Sequence, residues 1–184
     1  MILRRHHTCQ SDADLVKLVS QGNERAFGEL LQRHQNTVYG FARRFLADPQ
    51  EAEDVAQETF LRLFRVSGRY RPEASLGTFL LKIARNICID LLRKKRPEPM
   101  AQLPEMAHGD TPLVLLEGAI ETGRLERAID KLPVNQRSAL LLRHGEHLRY
   151  NQIAEVMDLT VGAVESLLVR ARRTLRRYLA VPPE

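Results

Sequence analysis

The sequence predicts an all-α protein made of two small helical domains joined by a flexible linker. Three observations lead there. Apolar residues recur at three- and four-residue intervals along nearly all of the 184 residues, and no stretch alternates convincingly as a strand would. The segment PEPMAQLPEMAHGDTP is Pro-rich and aperiodic, which reads as a linker. Charge divides at the same place. Residues 1–96 carry 17 basic and 11 acidic groups, and residues 124–184 carry 11 and 7. Residues 97–123 between them carry no Lys or Arg and five acids: Glu98, Glu105, Asp110, Glu117 and Glu121. The expected organisation is a tail over 1–11, a first domain over 12–96, an acidic linker over 97–123 and a second domain over 124–180.

Each helix has its own signals. Ser11 caps the first, with Asp14 three residues on as in a capping box. Leu15, Leu18 and Val19 form its apolar side and Gly22 ends it. Asn23 caps the second, whose inner face is Phe27, Leu30, Leu31, Val38, Phe41 and Phe45. DPQE opens the third, with Asp48 as cap and Pro49 at the first helical position, and this helix runs to about Phe64. After the loop VSGRYRPEA the fourth runs from about Leu76 to Lys95. In the second domain Leu125, Ile129 and Leu132 share one face, and Pro133 opens the next helix. NQIAEVMDLTVGAVESLLVRARR then gives a short helix, a tight turn and a long helix.

Composition narrows the function. Hydrophobic residues are 43% and aromatics 5% with no Trp, so the core is mostly Leu, Ile, Val and Ala. The net charge of +5, held in two basic blocks, favours a polyanionic partner met at two places. Cys9 and Cys88 belong to no CxxC pattern, so no structural metal is expected. The six histidines have no ligand spacing, and neither a phosphate loop nor HExxH occurs. No catalytic residues and no cofactor are expected. No apolar run is long enough for membrane insertion and no secretion signal is present, so a cytoplasmic protein is expected.

Three faces ask for partners. On the fourth helix Leu80, Ile83, Ala84, Ile87 and Leu91 lie opposite Lys82, Arg85, Arg93 and Arg96, with Asn86 at the margin. This basic stripe, about 20 Å long, can track phosphates. The third helix turns Ala52, Val55, Ala56, Thr59 and Leu63 inward. It turns Asp54, Gln57 and Glu58 outward, with Glu51 at the edge and Leu61 in the middle. An apolar residue ringed by acids suits a protein partner of complementary charge, although single exposed leucines are also common. In the second domain Ile153, Ala154 and Met157 line the shorter helix, Leu159 fills the turn, and Thr160 caps the last helix. Val161, Val164, Leu168, Ala171 and Leu175 form that helix's buried side. Gly162, Ser166, Arg170, Arg173 and Arg177 face away, with Glu165 and Leu167 on the flanks.

EAEDVAQETF (Glu51–Phe60), IARNICIDLLRKKR (Ile83–Arg96), Leu132–Arg137 and QIAEVMDLTVGAVESLLVRARRTLR (Gln152–Arg176) together resemble the extracytoplasmic-function sigma factors of bacteria. The resemblance runs from about Asp12 to Leu179. It implies a sigma-2-like and a sigma-4-like domain that bring core RNA polymerase to promoters, the polymerase itself doing the chemistry. Glu51, Asp54, Gln57, Glu58 and Leu61 would then meet the clamp of the polymerase's largest subunit. Arg69, Tyr70, Arg71 and Asn86 would engage the melted −10 element, and Lys82, Arg85, Arg93 and Arg96 its phosphates. Thr160, Gly162, Ala163, Glu165, Ser166, Arg170, Arg173 and Arg177 would face the −35 major groove. There Glu165 either accepts from a cytosine amino group or orients a neighbouring Arg. The linker would thread the RNA-exit path, and an anti-sigma factor is an expected partner. Phe79 stands where family members usually have Trp, and Glu165 and Leu167 where they often have Lys and Arg. A stand-alone helix–turn–helix regulator would explain only residues 150–177, and a metal-dependent nuclease lacks a ligand set.

Overall fold

The computed structural model describes residues 10–71, 74–95 and 122–180, all helical apart from short connections. Arg96, Cys9 and nearly all of the acidic linker lie outside the described residues. Four helices form the first unit: α1 (Asp12–Val19), α2 (Glu24–Leu46), α3 (Pro49–Val66), which runs into a 3-10 turn at Ser67–Arg69, and α4 (Leu76–Lys95). The second unit holds α5 (Thr122–Asp130), α6 (Val134–Leu140) with a π-helical turn at Leu141–Gly145, α7 (Tyr150–Met157) and α8 (Val161–Ala180).

The helix starts follow from their caps. Ser11 and Asp14 form a reciprocal capping box, the Asp14 amide donating to Ser11 Oγ at 3.2 Å. Asn23 Oδ1 accepts from the Ala26 amide at 3.1 Å, and Asp48 Oδ1 accepts from the Glu51 amide at 3.0 Å. Gly22 sits at φ 84° after α1, while Ala47 takes the left-handed conformation at φ 58° to end α2.

Phe41, Phe45, Leu30, Leu63 and Leu80 fill the first unit, and α2 packs along both α3 and α4. The apolar cluster does not stop there. It continues through Leu142, Ile153, Val156, Met157, Val164 and Leu168 of the second unit. The sequence reading of α4 assumed one apolar face and one solvated face. Leu81 and Cys88 are also fully buried, and α7 of the second unit packs on α4 alongside α2 and α3. A smaller cluster of Ala128, Leu132, Leu140, Ala171 and Leu175 ties α5 and α6 to α8.

Polar ties fasten the two units. Arg137, only 6% exposed, donates to the Phe45 carbonyl at 2.8 Å and lies over the Phe45 ring at 5.8 Å. That carbonyl belongs to the last turn of α2, where intrahelical acceptors have no partner of their own. Arg44 pairs with Glu146, Lys82 Nζ with Asp158 Oδ1 at 2.5 Å, and Arg85 with Asn135 Oδ1 at 2.9 Å.

Candidate nucleic-acid and polymerase interfaces

The outer face of α3 is where periodicity placed it. Asp54, Gln57 and Leu61 are exposed, Leu61 at 48%, while Ala52, Val55, Thr59 and Leu63 are buried. Thr59 is accommodated there because its hydroxyl donates to the Val55 carbonyl at 2.7 Å. The acids on this face are unequal. Glu58 bonds Arg62 at 2.8 Å, and that hydrogen bond, followed by the charges of Arg62 and Arg65, lowers its pKa. Glu51 pairs with Lys95 at 2.6 Å, tying α3 to α4. Asp54 has neither restraint. The reading of residue patterns missed Phe64, half exposed at 50% beside Leu61 and edge-on to Phe27 at 5.7 Å. Phe64 lies four residues from Phe60, so it looks like a core residue on a helical wheel. Phe60 is buried instead.

The second site is a cavity of about 720 Å³ at the start of α4, lined by Val66, Arg69, Tyr70, Arg71, Ala74, Thr78, Phe79 and Lys82, and by Glu155 and Asp158 of the second unit. Ser75 caps α4 by accepting from the Thr78 amide at 3.2 Å. Tyr70 and Phe79 stack edge to face at 5.2 Å, and the Tyr70 hydroxyl donates to the Ala74 carbonyl at 3.4 Å. Burial, with Asp12 nearby, raises the Tyr70 pKa. Arg69 and Arg71 are exposed at the rim.

Arg85 requires a correction. The wheel set it on the solvated stripe, yet it is 9% exposed beneath the second unit. Burial lowers its pKa, with Asp158 opposing, and its Nε finds no partner among the described residues. Lys82 is partly covered by the pair with Asp158, whereas Asn86 and Arg93 remain exposed, Arg93 pairing with Asp90 at 3.1 Å. Two further differences lie in the helix–turn–helix. Leu159 and Val161 are 39% and 43% exposed, so the turn is not filled by Leu159 and burial on α8 begins at Val164.

The turn itself forms from Asp158, left-handed at φ 54°, and from Thr160, whose Oγ1 accepts from the Ala163 amide at 3.2 Å. Gly162, Glu165, Ser166, Arg170 and Arg177 are exposed along α8, and Ala163 and Arg173 are half-buried. Ser166 donates back to the Gly162 carbonyl at 3.0 Å, and Arg170 Nε to the Ser166 carbonyl at 3.3 Å. Glu165 is exposed on the flank of α8.

A helical pair with exposed arginines on its second helix, a cavity lined by Arg69, Arg71 and Lys82, and an exposed acidic and apolar face on α3 point to a DNA-binding protein that also docks on a protein. Comparison with known proteins agrees. Residues 30–98 match the model of sigma-70 region 2, and residues 122–175 match that of sigma-70 region 4. The chain is 36% identical to the RNA polymerase sigma-H factor of Pseudomonas aeruginosa over 94% of this chain and 95% of that one. It is 30% identical to the ECF sigma factor SigW of Bacillus subtilis, covering 89% and 94%. Among solved structures, CnrH in complex with the cytosolic domain of CnrY superposes with a TM-score of 0.71 at 27% identity, covering 93% of this chain and 98% of that one. The chain belongs to the extracytoplasmic-function sigma factors of the sigma-70 family, and its function is to direct RNA polymerase to promoters. Because both halves match, a stand-alone helix–turn–helix regulator is not favoured. Among the described residues no helix is long and apolar enough to cross a membrane.

Proposed function

We propose that three surfaces of this chain divide the work of initiation. Residues 12–96 form the unit that docks on core polymerase and holds the melted −10 element. Residues 97–123 thread the polymerase between the two DNA sites, and residues 124–180 read the −35 duplex. The observation that carries the division is the outer face of α3. Asp54, Gln57 and Leu61 are presented together and free of restraint, beside an exposed Phe64. An acidic rim around apolar anchors is what a basic helical surface would bind, which suits the clamp of the largest subunit. Glu51 and Glu58 belong to the same face, as positioning groups held by Lys95 and Arg62.

Arg69, Tyr70 and Arg71 offer an unpaired base a pocket with an aromatic wall, and Asn86 offers it amide hydrogen bonds. Lys82, Arg85, Arg93 and Arg96 hold its phosphates. On α8, Ser166 and Arg170 face base edges and Arg173 and Arg177 the backbone, with Thr160, Gly162 and Ala163 at the entry to the groove. Glu165 is suited to accept from a cytosine amino group. The chain contributes no catalytic group and acts in the cytoplasm. An anti-sigma factor is its inhibitor, in line with the solved complex of the sigma factor RpoE with the anti-sigma factor NepR from Bartonella quintana.

The test replaces Asp54 and Leu61 together by Arg and measures binding to core polymerase. Affinity is expected to fall by about 100-fold, the size of loss typical of two central interface residues, with helicity unchanged. Unchanged affinity overturns the clamp assignment.

A further inference from the structure

We propose that the cavity at the start of α4 binds a free guanine nucleotide in the isolated chain. Its volume of about 720 Å³ is that of a small-molecule site, which spans roughly 300–1,000 Å³. Three chemistries line it. The first unit supplies exposed Arg69 and Arg71 and the half-buried rings of Tyr70 and Phe79, and the second unit supplies the carboxylates of Glu155 and Asp158. The rings are edge to face at 5.2 Å, and the Tyr70 hydroxyl donates to the Ala74 carbonyl at 3.4 Å, so this wall is formed before a ligand arrives. A ligand that satisfies all three carries an anion, a flat π surface and hydrogen-bond donors. A nucleotide has each of these, in its phosphate, its ring and the edge of its base.

The carboxylates choose the base. An ionised carboxylate only accepts hydrogen bonds. Guanine presents N1–H and its N2 amino group side by side, two donors that one carboxylate takes together. Adenine and cytosine place an acceptor nitrogen beside their amino group, and uracil sets its single N–H between two carbonyls. Asp158 is already engaged, with Oδ1 2.5 Å from Lys82 Nζ, so exposed Glu155 on α7 is the reader of the base. The phosphate goes to Arg69 and Arg71, whose planar forks suit its oxygens, and like charge keeps it from Glu155. The base lies on the Tyr70 and Phe79 wall, as bases do on aromatic side chains. This ligand is independent of the −10 reading. Because Tyr70, Arg69 and Arg71 would serve both, the nucleotide and the melted strand exclude each other.

The test titrates the full chain, without polymerase or DNA, with GMP, AMP and inorganic phosphate by calorimetry. GMP is expected to bind about tenfold tighter than AMP, the discrimination that a two-bond reading of a base edge gives, and phosphate weakest of all. Glu155→Gln should erase the preference for GMP, since an amide donates as readily as it accepts. Arg71→Ala should weaken both nucleotides alike. Both residues are exposed, so the fold survives these changes. Equal affinity for GMP and AMP in the wild-type chain overturns the proposal, as does a failure of either to saturate at millimolar concentration. A GMP preference that survives Glu155→Gln puts the nucleotide elsewhere and overturns it too. A chain that fails to bind GMP, yet loses capture of the melted strand on Tyr70→Ala in the holoenzyme, discards the nucleotide and keeps the −10 reading.

Discussion

Two residues carry consequences of burial. The Cys88 thiol is fully buried in α4, and its pKa is pushed up to about 12, chiefly by desolvation. It stays neutral at physiological pH, and the thiolate is the reactive form. Alkylation of Cys88 in the native chain is expected to be slow and to track unfolding; labelling at the rate of a free thiol would contradict its packing. His144 has its pKa lowered from the ordinary 6.5, first by burial and then by the charges of Arg172, Arg143 and His147. The unfolded chain therefore binds this proton more readily than the folded one, so stability falls as pH drops from 6.5 towards the lowered value. His144→Asn should flatten that part of the pH–stability curve, measured by urea unfolding at several pH values. The residue scale is also where sequence patterns misled. The wheel put Arg85 outside and Val161 inside, since it counts only a helix's own periodicity. What decided both was tertiary context: Asn135 of α6 bonds the buried Arg85 at 2.9 Å, while Val161 at the start of α8 is left 43% exposed.

The helices themselves were the most readable part. Every start signalled by Ser11, Asn23, Asp48 and Thr160 is used, because a capping side chain acts on amides two or three residues away and needs no tertiary context. Asp48→Ala should cost about 1 kcal/mol by losing the bond to the Glu51 amide, and Asp48→Asn should restore most of it. Chemical denaturation checks both. Ala47 shows what the pattern did not signal, since an alanine at φ 58° gives no sign of ending a helix. Ala47→Gly should raise stability by about 1 kcal/mol through relief of the left-handed strain; a loss would mean that the methyl packs usefully. The acidic face of α3 was readable for the same local reason as the caps. Exposed Phe64 was not, because its neighbour Phe60 takes the inward place.

At the scale of the molecule, charge blocks and the Pro-rich stretch predicted two helical units, and the match of regions 2 and 4 to its two halves agrees. How the units meet had no signature in one sequence. Arg137 on the Phe45 carbonyl spans 92 residues, and Lys82 with Asp158 spans 76. Neither pair is announced by spacing. The division of labour still leads to a measurable electrostatic outcome. Lys82→Ala with Arg85→Ala should weaken open-complex formation and reduce its salt dependence by roughly 0.7 in log–log slope for each single-strand phosphate that is no longer neutralised. A defect confined to −35 duplex binding would reverse the assignment of the two units.

The most direct measurement tethers a DNA-cleaving reagent to each unit in turn, through Asn86→Cys on α4 and Ser166→Cys on α8, and maps the cuts in a holoenzyme–promoter complex. The account predicts cuts around the melted −10 element from position 86 and in the −35 duplex from position 166. Cuts from both positions in the same element, or from position 86 in duplex DNA upstream of position 166's, would contradict it.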